Sequence, residues 1–279
     1  MKPFLALLSA VLISLPLPPR ASAQDASGWV DHGHSRVRLI AGGAPEAGVV
    51  DLGIQIDLEP GWKTYWRTPG DSGIPPSFDW SRSADVAAAD VAWPAPVRFD
   101  DPFGQSIGYR DEVVLPVRVK LSEPATEPVR IALDLHYAVC SDICVPVRTA
   151  LDLELDPETP VKADQAAAIA RYAALVPQPA TRADGPRVAA ARAEARDDGL
   201  ELVIDIAGST PAAATEVLVE GPPGVYVGMT REAPGEGGDG KRFTARVDGA
   251  DGRDDLRGKQ VTVTILEGEI RLEQVVTVQ

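Results

Sequence analysis

Beyond residue 144 the sequence has no cysteine and no histidine. The whole chain holds only two cysteines, three histidines and two methionines. That scarcity leaves little for a metal centre and gives no support to copper handling, which needs soft sulfur ligands. There is no phosphate loop, no dinucleotide fingerprint and no recognisable serine–histidine nucleophile pattern, so no cofactor is expected. Positive charge is also short, with Lys+Arg 27 against Asp+Glu 41 and a net charge of −14. Such a chain repels phosphate backbones and anionic lipid, which argues against nucleic acid and membrane surfaces as partners. After the N-terminal segment, no stretch approaches the roughly 20 apolar residues of a membrane span.

Turn formers are plentiful instead. There are 25 glycines and 25 prolines in 279 residues, above the roughly 12% of average usage, which argues against a helical bundle. Lys2, the apolar stretch Phe4 to Leu17 and Ala21-Ser22-Ala23 read as an export signal over residues 1–23, cleaved before Gln24. Export to an oxidising compartment, the periplasm, makes a Cys140–Cys144 disulfide the expected state. The ring is small, and the chain-entropy model gives about 2 kcal/mol for five residues. A structural staple and a labile, exchangeable bond both fit that spacing.

Period-two patterns dominate residues 28–156. Val49 to Leu58 alternates almost strictly, Trp62 to Arg67 is aromatic, and Val113–Val119, Val129–Tyr137 and Leu151–Leu155 follow. Short strands divided by turns predict an antiparallel sandwich. Residues 157–187 form a linker holding one helix, Ala163–Val176, rich in alanine. A second β-pattern occupies residues 188–279, with Leu200–Ile206 and Val261–Leu266 its best strands. The expected fold is all-β: two immunoglobulin-like antiparallel β-sandwiches joined by a short helical linker.

Several residues could carry chemistry. His32 and His34 are two apart, as a metal pair on a strand would be, but only Asp31 lies nearby, which suits a solvated N-terminal edge better. His136 could tune a thiolate or be an ordinary strand residue. Asp100-Asp101 could be acid/base carboxylates or solvated loop acids. Most of the aromatic mass lies in Trp62, Tyr65, Trp66, Trp80 and Trp93, which suits core filling. Cysteines at i and i+4 between two extended segments can face each other across a hairpin mouth. Opposed strand residues lie about 4.5–5.5 Å apart, within disulfide reach.

Longer strings carry more. Gly61-Trp62-Lys63-Thr64-Tyr65-Trp66-Arg67-Thr68-Pro69-Gly70-Asp71-Ser72-Gly73, Trp93-Pro94-Ala95-Pro96, Phe103 to Glu112 and Tyr137 to Pro146 resemble the periplasmic N-terminal domain of the thiol:disulfide interchange protein DsbD, and still more its ScsB-like relatives. The resemblance runs from about Gly61 to Leu155. It implies an immunoglobulin-like domain whose cysteines, here Cys140 and Cys144, receive electrons from a membrane-embedded thiol reductase. They pass them to periplasmic thioredoxin-fold proteins. It implies a cap loop over the cysteines, by motif position Asp100, Asp101, Pro102, Phe103 and Gly104, with Phe103 as the shielding ring. It places Tyr65 and Tyr137 near the cysteines. Three residues between the cysteines, and a second sandwich, fit the ScsB-like branch. DsbD and ScsB continue into membrane and thioredoxin-like domains; this sequence ends at Gln279 without them, so the donor is expected to be separately encoded. The alternative is a non-catalytic two-domain β-sandwich partner-binding protein with a structural disulfide.

Overall fold

The computed structural model describes residues 25–101, 104–158, 160–180, 185–197, 199–210, 212–234, 240–248 and 256–279. The expected export signal, Pro102, Phe103 and most of the glycine-rich 235–240 loop lie outside them. The first part contains β1 (Val30–Asp31), β2 (Ser35–Ala41), β3 (Val49–Leu58), β4 (Lys63–Gly70), β5 (Ser77–Asp79), β6 (Val86–Val91), β7 (Val97–Asp101), β8 (Gly104–Arg110), β9 (Glu112–Leu121), β10 (Val129–Cys140) and β11 (Cys144–Leu155). These pair as one sheet in the order β1-β2-β3-β9-β6 and a second in the order β11-β10-β4-β8-β7, with β5 on β10.

Alternation builds the layer between them. Val50, Leu52, Ile54, Ile56 and Leu58 of β3 point inward, as do Ile131, Leu133, Leu135, Tyr137 and Val139 of β10, around a fully buried Trp66. Burying each large aliphatic contributes about 1.5–3 kcal/mol. Trp62, Trp80 and Trp93 pack against this core from its margin.

Helix α1 (Ala163–Ala173) follows and is shorter than its alanine content suggests. The amides of Leu175 and Val176 turn back to Tyr172 and Ala173, tightening the last turn. Pro177 then disfavours helical geometry at the residue before it. The helix lies on the outer face of the first sheet, where Ile169 packs with Ile40 and Val114. Gly53 makes room: a Cβ there would sit 2.7 Å from Val114 and 2.9 Å from Ile169.

The second part contains β12 (Gln178–Pro179), β13 (Arg187–Arg196), β14 (Gly199–Ala207), β15 (Thr215–Glu220), β16 (Tyr226–Val227), β17 (Arg231–Ala233), β18 (Lys241–Asp248), β19 (Gln260–Glu267) and β20 (Ile270–Thr277). Its sheets run β12-β20-β19-β15 and β13-β14-β18-β16, with β17 on β18. Leu202, Ile204, Val217, Phe243, Val263 and Ile265 are among its core residues. The two parts touch: Leu218 of β15 joins the first core, and Met229 and Leu266 pack against it.

Candidate functional site

Strands β10 and β11 pair residue for residue from Val129↔Leu155 to Cys140↔Cys144. The cysteines are the last pair of this ladder, and Ser141-Asp142-Ile143 closes the turn, with the Ser141 amide bonded to the Ile143 carbonyl at 3.0 Å. Cys140 and Cys144 form a disulfide with Cα atoms 4.2 Å apart. Their environments differ. Cys140 is 1% exposed, whereas Cys144 and Ile143 are exposed.

Tyr65 explains part of the asymmetry. β4 runs antiparallel to β10 with Val139 opposite Thr64 and Cys140 opposite Lys63. Tyr65 thereby clusters with Ala138 and Cys140. Its hydroxyl donates to Cys140 Sγ at 2.7 Å and lies 3.3 Å from Cys144 Sγ. Burial, with Asp101 second, raises the phenol pKa, so the proton stays available for donation at neutral pH.

Gly73 holds the ring in place. A Cβ there would lie 2.4 Å from Pro69 Cβ and 2.7 Å from Tyr65 Cδ1. Gly73→Ala should displace Tyr65, at an overpacking cost of about 1–3 kcal/mol. Reduction of the disulfide by glutathione should slow relative to the unaltered protein; an unchanged rate would show that Tyr65 keeps its place.

A second polar group lies beside the sulfurs. Lys63 is 7% exposed. Its ammonium pairs with Asp101 and donates to Ser106 Oγ at 3.0 Å, while Ser106 Oγ donates to Asp101 Oδ2 at 2.6 Å. Burial pushes the Asp101 pKa up, but the bonds from Lys63 and Ser106 and the Lys63 charge outweigh it and hold it below the free value. The Lys63 ammonium also stands 4.9 Å from the Phe99 ring centroid, and Arg110 5.3 Å. Cys140, Ser141, Asp142, Trp62, Lys63, Phe99, Asp100, Asp101 and Arg110 line one cleft of about 590 Å³.

Not every expected residue converges here. Tyr137 does not: three residues from Cys140 on a strand, it faces the opposite side. It sits in the main core and shares a 2.8 Å hydrogen bond with Ser35. Placing it near the cysteines is corrected on that ground. Asp100 and Asp101 reach the cleft, and Gly104 pairs with Asp101 where β7 meets β8. Phe103 lies outside the described residues. His32 meets the edge of Tyr137 and His34 stacks on Trp62 at 3.8 Å, so the two do not face a common centre. His136 is exposed, opposite Arg148. Lys63, Phe99 and Ser106 were not singled out from the sequence, although Lys63 and Tyr65 share strand parity.

A model of the family "Thiol:disulfide interchange protein DsbD, N-terminal" matches residues 40–156, the span that holds this disulfide hairpin. Residues 40–156 resemble the DsbD N-terminal domain. That match is followed, at residues 175–279, by a match to a domain family of unknown function. Across both, the chain is similar to the crystal structure of the N-terminal periplasmic domain of ScsB from Proteus mirabilis. The identity is 26% over 92% of this chain and 99% of that one, with a TM-score of 0.71. The reduced DsbD N-terminal domain of Neisseria meningitidis matches at 17% identity over 45% of this chain and 90% of that one, TM-score 0.28. No curated protein matches significantly. The family match and the bonded cysteine pair support a thiol:disulfide exchange domain. Among the described residues, no helix is long and apolar enough to cross a membrane.

Proposed function

We propose that the chain is a periplasmic thiol:disulfide exchange module. Residues 28–156 carry the redox chemistry, and residues 188–279 form a second domain beyond the 157–187 linker. Cys140–Cys144 relays electrons between a membrane-embedded thiol reductase and thioredoxin-fold acceptors. The observation that carries the reading is the unequal pair: one sulfur buried under a phenol, the other on an exposed residue.

The steps follow from that inequality. A donor thiolate attacks Cys144 Sγ, forming a mixed disulfide, and the electron pair of the broken bond goes to Cys140 Sγ. The Tyr65 hydroxyl, 2.7 Å away, stabilises the charge developing there. The donor's second thiolate then attacks its own sulfur in the mixed disulfide and releases Cys144. The donor leaves as a disulfide; this chain is left as a dithiol, two electrons and two protons richer. Transfer onward is the reverse: Cys144 attacks the acceptor's disulfide and Cys140 resolves the mixed species.

Two measurements test this. Equilibration against glutathione buffers with alkylation of free thiols should give a potential above about −300 mV, the upper bound of structural bonds. A lower value supports the structural-staple alternative. Cys140→Ser should accumulate a mixed disulfide with a thioredoxin-fold protein, and Cys144→Ser should not. Equal trapping by both variants would remove the assignment of Cys144 as the attacked sulfur.

A further inference from the structure

One wall of the cleft that Cys140 lines is the β7–β8 hairpin, which supplies Phe99, Asp100 and Asp101. Its backbone ladder to the rest of the sheet is short, though Lys63 of β4 bonds Asp101 and Ser106. β8 pairs with β4 at Lys63, Thr64 and Tyr65; the register then breaks until Gly70↔Ser106. On its other side β8 carries β7, which pairs with β8 alone and so forms an edge among the described residues. A hairpin with few ladder bonds belongs to the easily opened end of a fold.

The second sandwich supplies bonds that the sheet does not. Arg98 of β7 holds the Glu216 carboxylate with two nitrogens, one at 3.0 Å, and donates to the Thr230 carbonyl at 3.1 Å. The same guanidinium donates to Gln105 at 2.8 Å, and Gln105 donates to Asp100 at 2.7 Å. On the other strand, Tyr226 donates to Asp71 at 2.8 Å, and the Asp71 amide bonds the Gln105 carbonyl at 2.8 Å. Both routes start in the second sandwich and end on the hairpin. Forked arginine–carboxylate pairs fix direction as well as distance, and this one is mostly withdrawn from water, at 21% and 32% side-chain exposure.

We infer that the second sandwich braces this hairpin and so sets how readily a thiolate reaches the Cys140–Cys144 bond, with Glu216 and Tyr226 as positioning residues. The inference deepens the exchange reading and rests on it for its biological meaning. Its test does not, because any reachable disulfide reacts with a small thiol. In the full chain, Glu216→Gln, Tyr226→Phe and the double variant are compared with the unaltered protein. Amide exchange at residues 98–101 and 105–107 should quicken roughly tenfold in the double variant. Reduction by glutathione should quicken several-fold, with single variants in between. A lower melting midpoint with unchanged glutathione kinetics and unchanged amide exchange in the hairpin would reduce these contacts to glue between domains and overturn the brace. If the unaltered chain reacts with glutathione yet never exchanges with thioredoxin-fold proteins, the proposed function fails, and the comparison among variants still decides the brace.

Discussion

Tyr65→Phe should slow reduction of the Cys140–Cys144 disulfide by roughly 10- to 100-fold while leaving the melting midpoint nearly unchanged. The disulfide sulfur is a weak acceptor, so in the resting state the bond at 2.7 Å contributes little. As a thiolate attacks Cys144, negative charge develops on Cys140 Sγ, and the same donor then faces an anion. Hydrogen bonds to charged groups contribute about 1.5–3 kcal/mol, and each 1.36 kcal/mol of barrier is tenfold in rate. The interaction strengthens in the transition state, which is the condition for it to accelerate the step. The ring fills the same space in phenylalanine, so packing against Gly73 and Ala138 persists. Stopped-flow reduction by glutathione, beside a thermal melt, reads both quantities. An unaltered rate with an intact fold would remove Tyr65 from the mechanism.

Asp101→Ala should cost about 3 kcal/mol, because it strands the Lys63 ammonium in a buried position. Its side chain is 9% exposed, and Ser106 Oγ is the one described hydrogen-bond partner that remains. Lys63→Met combined with Asp101→Ala should recover much of the loss, since the unpaired charge, not the absent pair, is the penalty. Calorimetry on the three variants distinguishes these. A single variant as stable as the unaltered protein would mean that Lys63 finds water. The pair also has a pH signature. The folded pKa of Asp101 lies below the 3.8 of a free carboxyl. Its stabilisation is therefore fully present above that value and is lost as pH falls through the lower, folded one. The stability gap between unaltered protein and Asp101→Ala should hold steady from pH 7 to about 5 and close below about 4.

The sequence shows some of this architecture and hides the rest for physical reasons. Val49–Leu58 alternates because one face is core and the other wet, and it forms a strand with those bounds. β11 is longer than its readable portion: alternation is plain only from Leu151, yet the strand begins at Cys144. Pro146 and the polar Arg148-Thr149 blur it, and both are tolerated because β11 is an edge. Motif position puts Tyr137 beside the cysteines, but residues three apart on a strand face opposite ways, and Tyr137 joins the main core instead. Lys63 could not be read as buried, because what makes its burial tolerable is Asp101, 38 residues away. The Arg98–Glu216 fork spans 118 residues and leaves no local pattern at all.

The position of the cysteines at the end of a β-ladder has a thermodynamic corollary. The two side chains stand opposite each other because the β10–β11 pairing puts them there. Folding and oxidation form a closed cycle. Whatever the crosslink adds to conformational stability must equal the amount by which folding shifts the reduction potential. For a ring spanning four residue steps the chain-entropy part of that shared quantity is about 2 kcal/mol. With 30 mV corresponding to 1.4 kcal/mol for a two-electron couple, that entropic part corresponds to about 45 mV. Ring closure thus moves the couple little, and the larger share of any shift comes from what contacts the sulfurs in the fold, the Tyr65 hydroxyl among them.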